Sequence, residues 1–311
     1  MMPRPMSIQY AVFLFALLLS GCATPTARSA VSSPILEADG LADSGVARAG
    51  SGHELVSSAW SVARPQDSQG AGHASAEEMN RSNNPLTPSP TLDLQNFYAP
   101  ELYGSNAHTN DLFLRAAMPF APNSVVPVPQ IVRLTAPIST RPDPDGGYTT
   151  GLGTVNVFDI FLLGKPKGVE VGVGPLLTIP TAGADELGSD KWAAGLAAVA
   201  IKPAEWGMLG GLLQWQESFA GPDSAPDVST ITGQPFFIYN LPQAWYLRST
   251  ATWTFDLEKD DYFIPLGFGG GKVWKVGGTT LNAFFEPQWT VLHDGDGLPQ
   301  FALFFGVNAT L

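Results

Sequence analysis

The segment FALFFGVNATL, residues 301–311, decides the fold class of this chain. Its odd positions carry Phe, Leu, Phe, Val, Ala and Leu, and its even positions carry Ala, Phe, Gly, Asn and Thr. A repeat of two residues is the period at which side chains alternate between the faces of a β-strand. The segment therefore predicts a strand with one long apolar face and one mixed face.

The same alternation recurs through residues 94–311, most clearly at 112–118, 131–136, 247–257 and 281–291. Turn-forming residues separate these segments, as in DPDGG at 143–147 and DGDG at 294–297. Neither a sustained helical period nor an apolar run of about 18 residues interrupts them. The body of the chain is therefore predicted to be all-β.

The composition favours a membrane barrel over a soluble sandwich. Charged residues make up 14% of the chain, against about 25% in ordinary soluble domains. The polar strand faces carry mainly Thr, Asn, Gln and Gly, whereas the apolar faces are long and aromatic, as in a barrel that turns its apolar face to lipid. We predict a closed antiparallel transmembrane β-barrel of about 12 strands, with 10 as the alternative, at roughly 18 residues per strand and turn.

The N-terminus resembles a bacterial export signal. An apolar run, AVFLFALLL at 11–19, is too short to span a bilayer but suits a signal peptide. It is followed by LSGC at 19–22, which resembles a lipobox and contains the only cysteine of the chain. We predict a lipoprotein signal peptide at 1–21 and lipidation of Cys22, with an ordinary cleavable signal as the alternative.

Residues 22–93 differ in composition from the body. They are rich in Ala, Ser, Gly and Pro and contain few aromatic residues. Such a segment buries too little apolar surface to offset the entropy of ordering. It is predicted to be a disordered, low-complexity tether, with a short helix around Glu54 to Val62 as the alternative, and the barrel is predicted to occupy 94–311.

Charge and motif content exclude several classes of function. A net charge of −12 argues against a nucleic-acid partner, and one cysteine with four separated histidines argues against a metal centre. No nucleophile motif occurs in the body, and His293 lies in a glycine-rich turn. The sequence predicts a protein that is not an enzyme and needs no cofactor.

The strand register places one set of side chains inside the barrel. Inward charges there can pair and stabilise the wall, or they can contact a solute, and the sequence leaves both interpretations open. The side chains predicted to face the lumen are Arg115, Arg133, Gln214, Gln216, Arg248, Asp256, Asn282, Phe284, Glu286 and Gln288.

Several short motifs in the body resemble a known family. They are GVGP at 172–175, IPT at 179–181, SFAG at 218–221, QPF at 234–236, WYL at 245–247, IPLG at 264–267 and GKV at 271–273. In this order they are similar to the outer-membrane β-barrel transporters of the phenol-degradation meta-pathway type. The resemblance implies an outer-membrane barrel that passes apolar or aromatic compounds. The long tether, the lipobox and the C-terminal Leu311 depart from the family pattern.

The sequence thus predicts an outer-membrane channel or transporter of a Gram-negative bacterium, in contact with membrane lipid and serving a small hydrophobic solute. Two alternatives stay open. One is an outer-membrane lipoprotein that anchors a partner without transport, and the other is a lipid-anchored periplasmic barrel that binds a ligand.

Overall fold

The computed structural model describes residues 74–311. This part of the chain contains one α-helix and fifteen strand segments, joined mostly by short turns. The helix α1 is Ala76–Asn83, and the strands are β1 Thr91–Leu102, β2 Thr109–Phe120, β3 Gln130–Pro142, β4 Tyr148–Leu152, β5 Val155–Gly164, β6 Glu170–Ile179, β7 Trp192–Ala204, β8 Gly207–Ala220, β9 Ser229–Asn240, β10 Trp245–Ser249, β11 Trp253–Asp256, β12 Asp261–Gly267, β13 Gly269–Val276, β14 Thr279–Asp294 and β15 Pro299–Thr310.

The strands close into a barrel. Each wall strand pairs antiparallel with its neighbours in the chain, and β15 returns to pair with β1, from Thr91 opposite Thr310 to Leu102 opposite Pro299. Three wall strands are interrupted, so that β4 with β5, β10 with β11, and β12 with β13 each form one strand against a shared neighbour. The wall therefore has 12 strands, which confirms the predicted closed antiparallel barrel and its strand number.

Prolines lie against these interruptions. Pro235 sits between Gly233, which pairs with Trp253, and Phe237, which pairs with Ser249, and so faces the gap between β10 and β11. Pro265 adjoins a register shift in the pairing of β12 with β14. Because proline has no N–H to donate to a ladder, strands lose pairing where it occurs. Pro235 and Pro265 thus mark breaks in a wall that still closes.

Strand β14 shows the sidedness of the wall. Its even positions Asn282, Glu286 and Gln288 are no more than 3% exposed, whereas Phe285 and Trp289 between them are 51% and 52% exposed. On this strand the polar side chains therefore point into the barrel together with Phe284, and Phe285 and Trp289 point outward. This arrangement is the reverse of a soluble sheet, which buries its apolar face.

The two ends of the barrel differ. At one end, here called the terminal end, β1 begins and β15 ends, and neighbouring strands join through turns as short as residues 205–206 and 277–278. The terminal end also carries the connection 121–129. The opposite end, here called the loop end, carries the longest connection, 180–191, and the connection 221–228. Short turns at one end and longer loops at the other are typical of outer-membrane barrels.

Within the described residues, regular structure begins before the predicted start of the barrel at residue 94. Helix α1 and the start of β1 at Thr91 both fall within the segment 22–93 that the sequence predicts as a tether. The helix forms because Ser75 and Glu78 make a reciprocal capping box, and its one buried apolar side chain, Met79, packs against the barrel interior at 4% exposure. Composition alone does not detect so short a helix. The alternative helix near Glu54 lies outside the described residues.

Within residues 74–311, no helix has the length and hydropathy needed to cross a bilayer.

Candidate functional site

The barrel encloses a cavity of about 410 Å³. Its wall combines phenylalanine rings with uncharged polar side chains from most of the strands. The aromatic contributors are Phe97, Phe113, Phe158, Phe263 and Phe304, and the polar ones include Gln214, Gln216, Thr230, Thr232, Gln234 and Gln288. A volume of this size falls within the range of ~300–1,000 Å³ that is usual for small-molecule sites.

A smaller cavity of about 130 Å³ lies beneath the segment that follows α1. Arg115 and Arg133 line both cavities and therefore lie where the two meet. Asp93 of β1 is directly opposite Arg115 of β2. Arg133 of β3 pairs with Ala117 and is therefore the diagonal neighbour of Arg115 on the same inward face. The three charged groups form one cluster on adjacent strands.

The arginines of this cluster are incompletely paired within residues 74–311. Neither Arg115 nor Arg133 makes an ion pair, and the buried Nε of Arg115 has no hydrogen-bond partner. Arg115 donates from its guanidinium to the Gln95 side-chain oxygen. Phenylalanine rings support both guanidinium groups, Phe113 at 4.5 Å from Arg115 and Phe158 at 5.5 Å from Arg133.

A second polar cluster, on β10 and β14, is fully paired. Arg248 donates from Nε to Glu286 Oε2 at 2.7 Å, and Glu286 Oε1 accepts the backbone N–H of Thr250 at 2.7 Å. The Thr250 carbonyl accepts from Gln234 Nε2 at 3.0 Å. Thr250 lies in the gap between β10 and β11, so lumen side chains replace the ladder bonds that the gap removes. This cluster stabilises the wall.

The glycine-rich run 267–271 makes room for that cluster. A side chain at Gly267 would place its Cβ 2.1 Å from Glu286 Oε1, and one at Gly271 would place it 2.3 Å from Tyr246 Oη. Tyr246 donates to Asn282 Oδ1 at 2.5 Å in the buried interior. These glycines therefore serve packing inside the barrel.

Helix α1 lies across the terminal end of the lumen. Asn80 donates to the Ala204 carbonyl at 2.9 Å and accepts from Asn240 at 2.9 Å on one side of the barrel. On another side, Asn282 of β14 donates to Asn83 Oδ1 at 3.1 Å. Because α1 bonds to strands on different sides of the wall, it occupies the mouth of the lumen.

One ion pair adds to this attachment. Lys275 of β13 donates to the Glu78 carboxylate, which also accepts the backbone N–H of Ser75 at 2.8 Å. The bond from Lys275, followed by that from Ser75, lowers the pKa of Glu78 below its usual value of 4.5. The Glu78 carboxylate is therefore held in its charged form while α1 is docked.

The structure brings most of the predicted lumen residues around these cavities and clusters. Those that line the larger cavity are Arg115, Arg133, Gln214, Gln216 and Gln288, and those of the buried wall clusters are Arg248, Asn282, Phe284 and Glu286. Asp256 instead ends β11 and accepts the backbone N–H groups of Glu258 and Lys259 at the rim. Cys22 lies outside the described residues.

Sequence reasoning missed several groups that the structure places at the site. Asp93 falls in the predicted tether, although it lines the smaller cavity. Asp111 of β2 lines the larger one and is bonded to Arg141 at 2.8 Å and to Ser139 at 2.6 Å. The two-residue period that places Arg115 inward also places Asp111 inward, so this signal was present in the sequence.

His293 lies in β14, opposite Phe263, and not in the predicted glycine-rich turn. Its ring stacks on Tyr103 with ring centroids 3.4 Å apart. No cluster of three His, Cys, Asp or Glu side chains within residues 74–311 has metal-binding geometry. The described part of the chain therefore offers no assembled metal site at this rim.

Comparison with one known protein supports the fold. An outer membrane channel from Pseudomonas putida F1 superposes with a TM-score of 0.53 at 14% identity, over 73% of this chain and 97% of that chain. The NanC porin matches at a TM-score of 0.47 and 11% identity, over 71% of this chain and 100% of that one. The β domain of a Bordetella autotransporter, BrkA, matches at 0.41 and 13%, over 72% and 100%. No protein-family model and no curated protein matches the chain.

Proposed function

We propose that this protein is an outer-membrane β-barrel channel for small solutes. The observation that carries the proposal is the sidedness of β14, where Glu286 is 0% exposed and Trp289 is 52% exposed. A wall with polar residues inside and apolar residues outside suits a barrel whose outer surface meets lipid. In a membrane the wall must close, because an open sheet edge leaves backbone groups without partners in hydrocarbon.

Aromatic side chains at both ends of the outer surface support the same placement. Tyr and Trp favour the interface between lipid and water, and two girdles of them flank the apolar band of outer-membrane barrels. Exposed aromatics near the terminal end are Trp206, Phe237, Tyr239 and Trp245, and those nearer the loop end are Tyr148, Trp192, Phe219 and Trp289.

The orientation follows from the lengths of the connections. Because outer-membrane barrels place short turns in the periplasm, the terminal end with α1 would face the periplasm. A lipid on Cys22, which is predicted from the sequence, would hold the N-terminal segment on that same side. The loop end, with the longest connection at 180–191, would face outward from the cell.

The solute is small and has an apolar part. The meta-pathway resemblance favours apolar or aromatic compounds, and the five phenylalanines that line the 410 Å³ cavity agree with that class. The similarity to the P. putida channel extends only to the fold. Neither this comparison nor the others indicate which solute passes through the barrel.

Conductance in planar bilayers tests the proposal. The full chain should form discrete channels of low conductance, because α1 occupies one mouth. A chain without residues 75–83 should conduct more, whereas a deletion of equal length at 60–68 serves as the matched control and should not. Absence of conductance from both the full chain and the α1 deletion, each shown to be folded by heat-modifiable mobility, would favour an anchoring role without transport.

A further inference from the structure

The lumen carries positive charge that its own carboxylates do not balance. Of the charged side chains that line the two cavities, Asp111 is paired with Arg141, and Arg248 is paired with Glu286. Two guanidinium groups, Arg115 and Arg133, then remain against the single carboxylate of Asp93. Within the described residues the cavity junction therefore holds one net positive charge.

The geometry of the two arginines suits an anion. They are diagonal neighbours on adjacent strands, and the buried Nε of Arg115 lacks a partner among residues 74–311. A guanidinium presents its donors as a planar fork that matches a carboxylate. Because this group is rigid, it loses little conformational entropy when it binds. Phe113 and Phe158 contact the faces of the two groups. Gln95 already accepts from one terminal nitrogen of Arg115, so within residues 74–311 the Nε edge of Arg115 and the edge of Arg133 are left for a ligand.

The rest of the cavity selects the body of that anion. Five phenylalanine rings and uncharged Gln and Thr side chains form the wall beyond the arginines. Such a wall favours a ligand with an apolar body and one charged end. Further polar groups on the ligand would be buried without hydrogen-bond partners, which costs free energy. The single net positive charge matches a monoanion.

We propose that Arg115 and Arg133 bind the carboxylate of a small organic monoanion whose apolar body lies in the larger cavity against the phenylalanine rings. This inference deepens the proposed channel function and rests on it. It assigns the arginines a role in solute selection in addition to their place in the wall. Asp93, directly opposite Arg115 on β1, limits the excess charge.

Calorimetric titration of the full chain in detergent tests the site with three probes. Benzoate carries both the charge and the apolar body, benzyl alcohol lacks the charge, and acetate lacks the body. Benzoate should bind at least about tenfold more tightly than either of the others, since charge-assisted bonds to arginine and burial of the ring each contribute. Equal affinity for benzoate and benzyl alcohol would overturn the proposal.

Substitutions separate the site from general charge effects. Arg133→Gln should weaken benzoate binding by about tenfold or more. Arg133→Lys keeps the charge but not the planar fork, so its affinity for benzoate should lie between those of the parent chain and of Arg133→Gln. Lys259→Gln is the matched control, because Lys259 is an exposed loop cation with its side chain 67% exposed, and it should leave binding unchanged. An Arg133→Gln variant that is folded by circular dichroism and binds benzoate normally would contradict the proposal.

Bilayer measurements distinguish failure of this site from failure of the channel. With a salt gradient, the reversal potential of the channel should indicate preference for anions, and Arg133→Gln should shift it toward cations. A protein that conducts but binds benzoate no better than benzyl alcohol overturns the anion site and leaves the channel standing. A protein that binds benzoate through Arg133 but never conducts supports the site and overturns the channel.

Discussion

At the scale of single residues, the ion pair between Arg248 and Glu286 is the most deeply buried charged contact of the wall, with side-chain exposures of 8% and 0%. Glu286 also replaces a lost ladder bond by accepting the N–H of Thr250 at 2.7 Å. The ring of Phe284 lies 3.7 Å from the Arg248 guanidinium carbon. Removal of one partner would leave the other charge buried without compensation.

Glu286→Gln should therefore destabilise the barrel by about 3–5 kcal/mol, the usual cost of breaking one side of a buried pair. Urea titration of the protein in detergent micelles, followed by tryptophan fluorescence, measures the free energy of unfolding. The double change Arg248→Met with Glu286→Leu is the control, and it should cost less than Glu286→Gln. A single variant as stable as the parent chain would contradict the structural role assigned to this pair.

Gly271 offers a second test at this scale, because its absent side chain leaves space for Tyr246. Gly271→Ala would bring a Cβ to 2.3 Å from Tyr246 Oη and displace the bond from Tyr246 to Asn282. A loss of about 1–3 kcal/mol is expected from overpacking of this kind, measured by the same titration. Gly278→Ala is the matched control, because a Cβ added there would meet nothing within 4 Å, and equal losses from both variants would refute the packing argument.

Single residues also show where sequence reasoning stops. The alternating pattern predicts that Trp253 and Trp289 both face outward to lipid. Trp289 is 52% exposed, but Trp253 is only 9% exposed, and its indole Nε1 donates to the Pro265 carbonyl at 3.1 Å. Thr252 and Thr254 on either side of it line the cavity, so Trp253 keeps its outward register, and its low exposure goes with the bond to Pro265. Alternation gives the face of a side chain and not its neighbours across the ladder.

At the scale of elements, helix α1 is held to the barrel wall by polar contacts, and one of these contacts is made by a titratable carboxylate. Glu78 accepts from Lys275, while the neighbouring carboxylate Glu77 pairs with Arg81 on the exposed face. Glu170 of β6 accepts from Asn84 just beyond the helix and pairs with Lys165. The pKa of Glu78 is lowered in the docked state, so docking gains from the charged carboxylate.

The sign of the pH effect follows from that shift. The contribution of Glu78 to docking is fully present above its ordinary pKa of 4.5 and is lost as the pH falls through the lowered value. Single-channel conductance should therefore rise when the pH is brought below 4.5, as α1 leaves the mouth. Glu78→Gln should abolish that rise and conduct more at neutral pH, whereas Glu77→Gln should behave like the parent chain. A pH response that survives Glu78→Gln would refute the assignment.

The same element marks the limit of prediction by composition. The capping box of Ser75 and Glu78 was visible in the sequence. The helix nevertheless has only eight residues and one buried apolar side chain, so its pattern is not distinguishable from that of the surrounding segment, which is rich in Ala, Ser and Gly. The helix depends on partners such as Asn240 and Asn282, which come from distant parts of the chain. Such contacts follow from barrel closure and cannot be inferred from local pattern.

At the scale of the whole molecule, the period-two pattern and the length of the body together predicted the closed barrel and its 12 strands. The pattern succeeds because each wall strand meets two environments, so that nearly every second side chain reports which side it faces. The interrupted strands escape prediction, because a proline such as Pro235 breaks the pairing of the neighbouring strand and not only its own. The charge cluster at the cavity junction also escaped prediction, because it includes Asp93, which lies just outside the predicted barrel of residues 94–311.

The central claim is that the outer surface of this barrel meets lipid while its lumen meets water. Spin labels on single cysteines, introduced into a Cys22→Ser chain in lipid vesicles, test it most directly through relaxation by oxygen and by a water-soluble nickel chelate. Labels at Phe285 and Trp289 should be relaxed mainly by oxygen, which concentrates in lipid, and labels at Gln214 and Gln216 mainly by the chelate. Chelate-dominated relaxation at Phe285 and Trp289 would contradict the account.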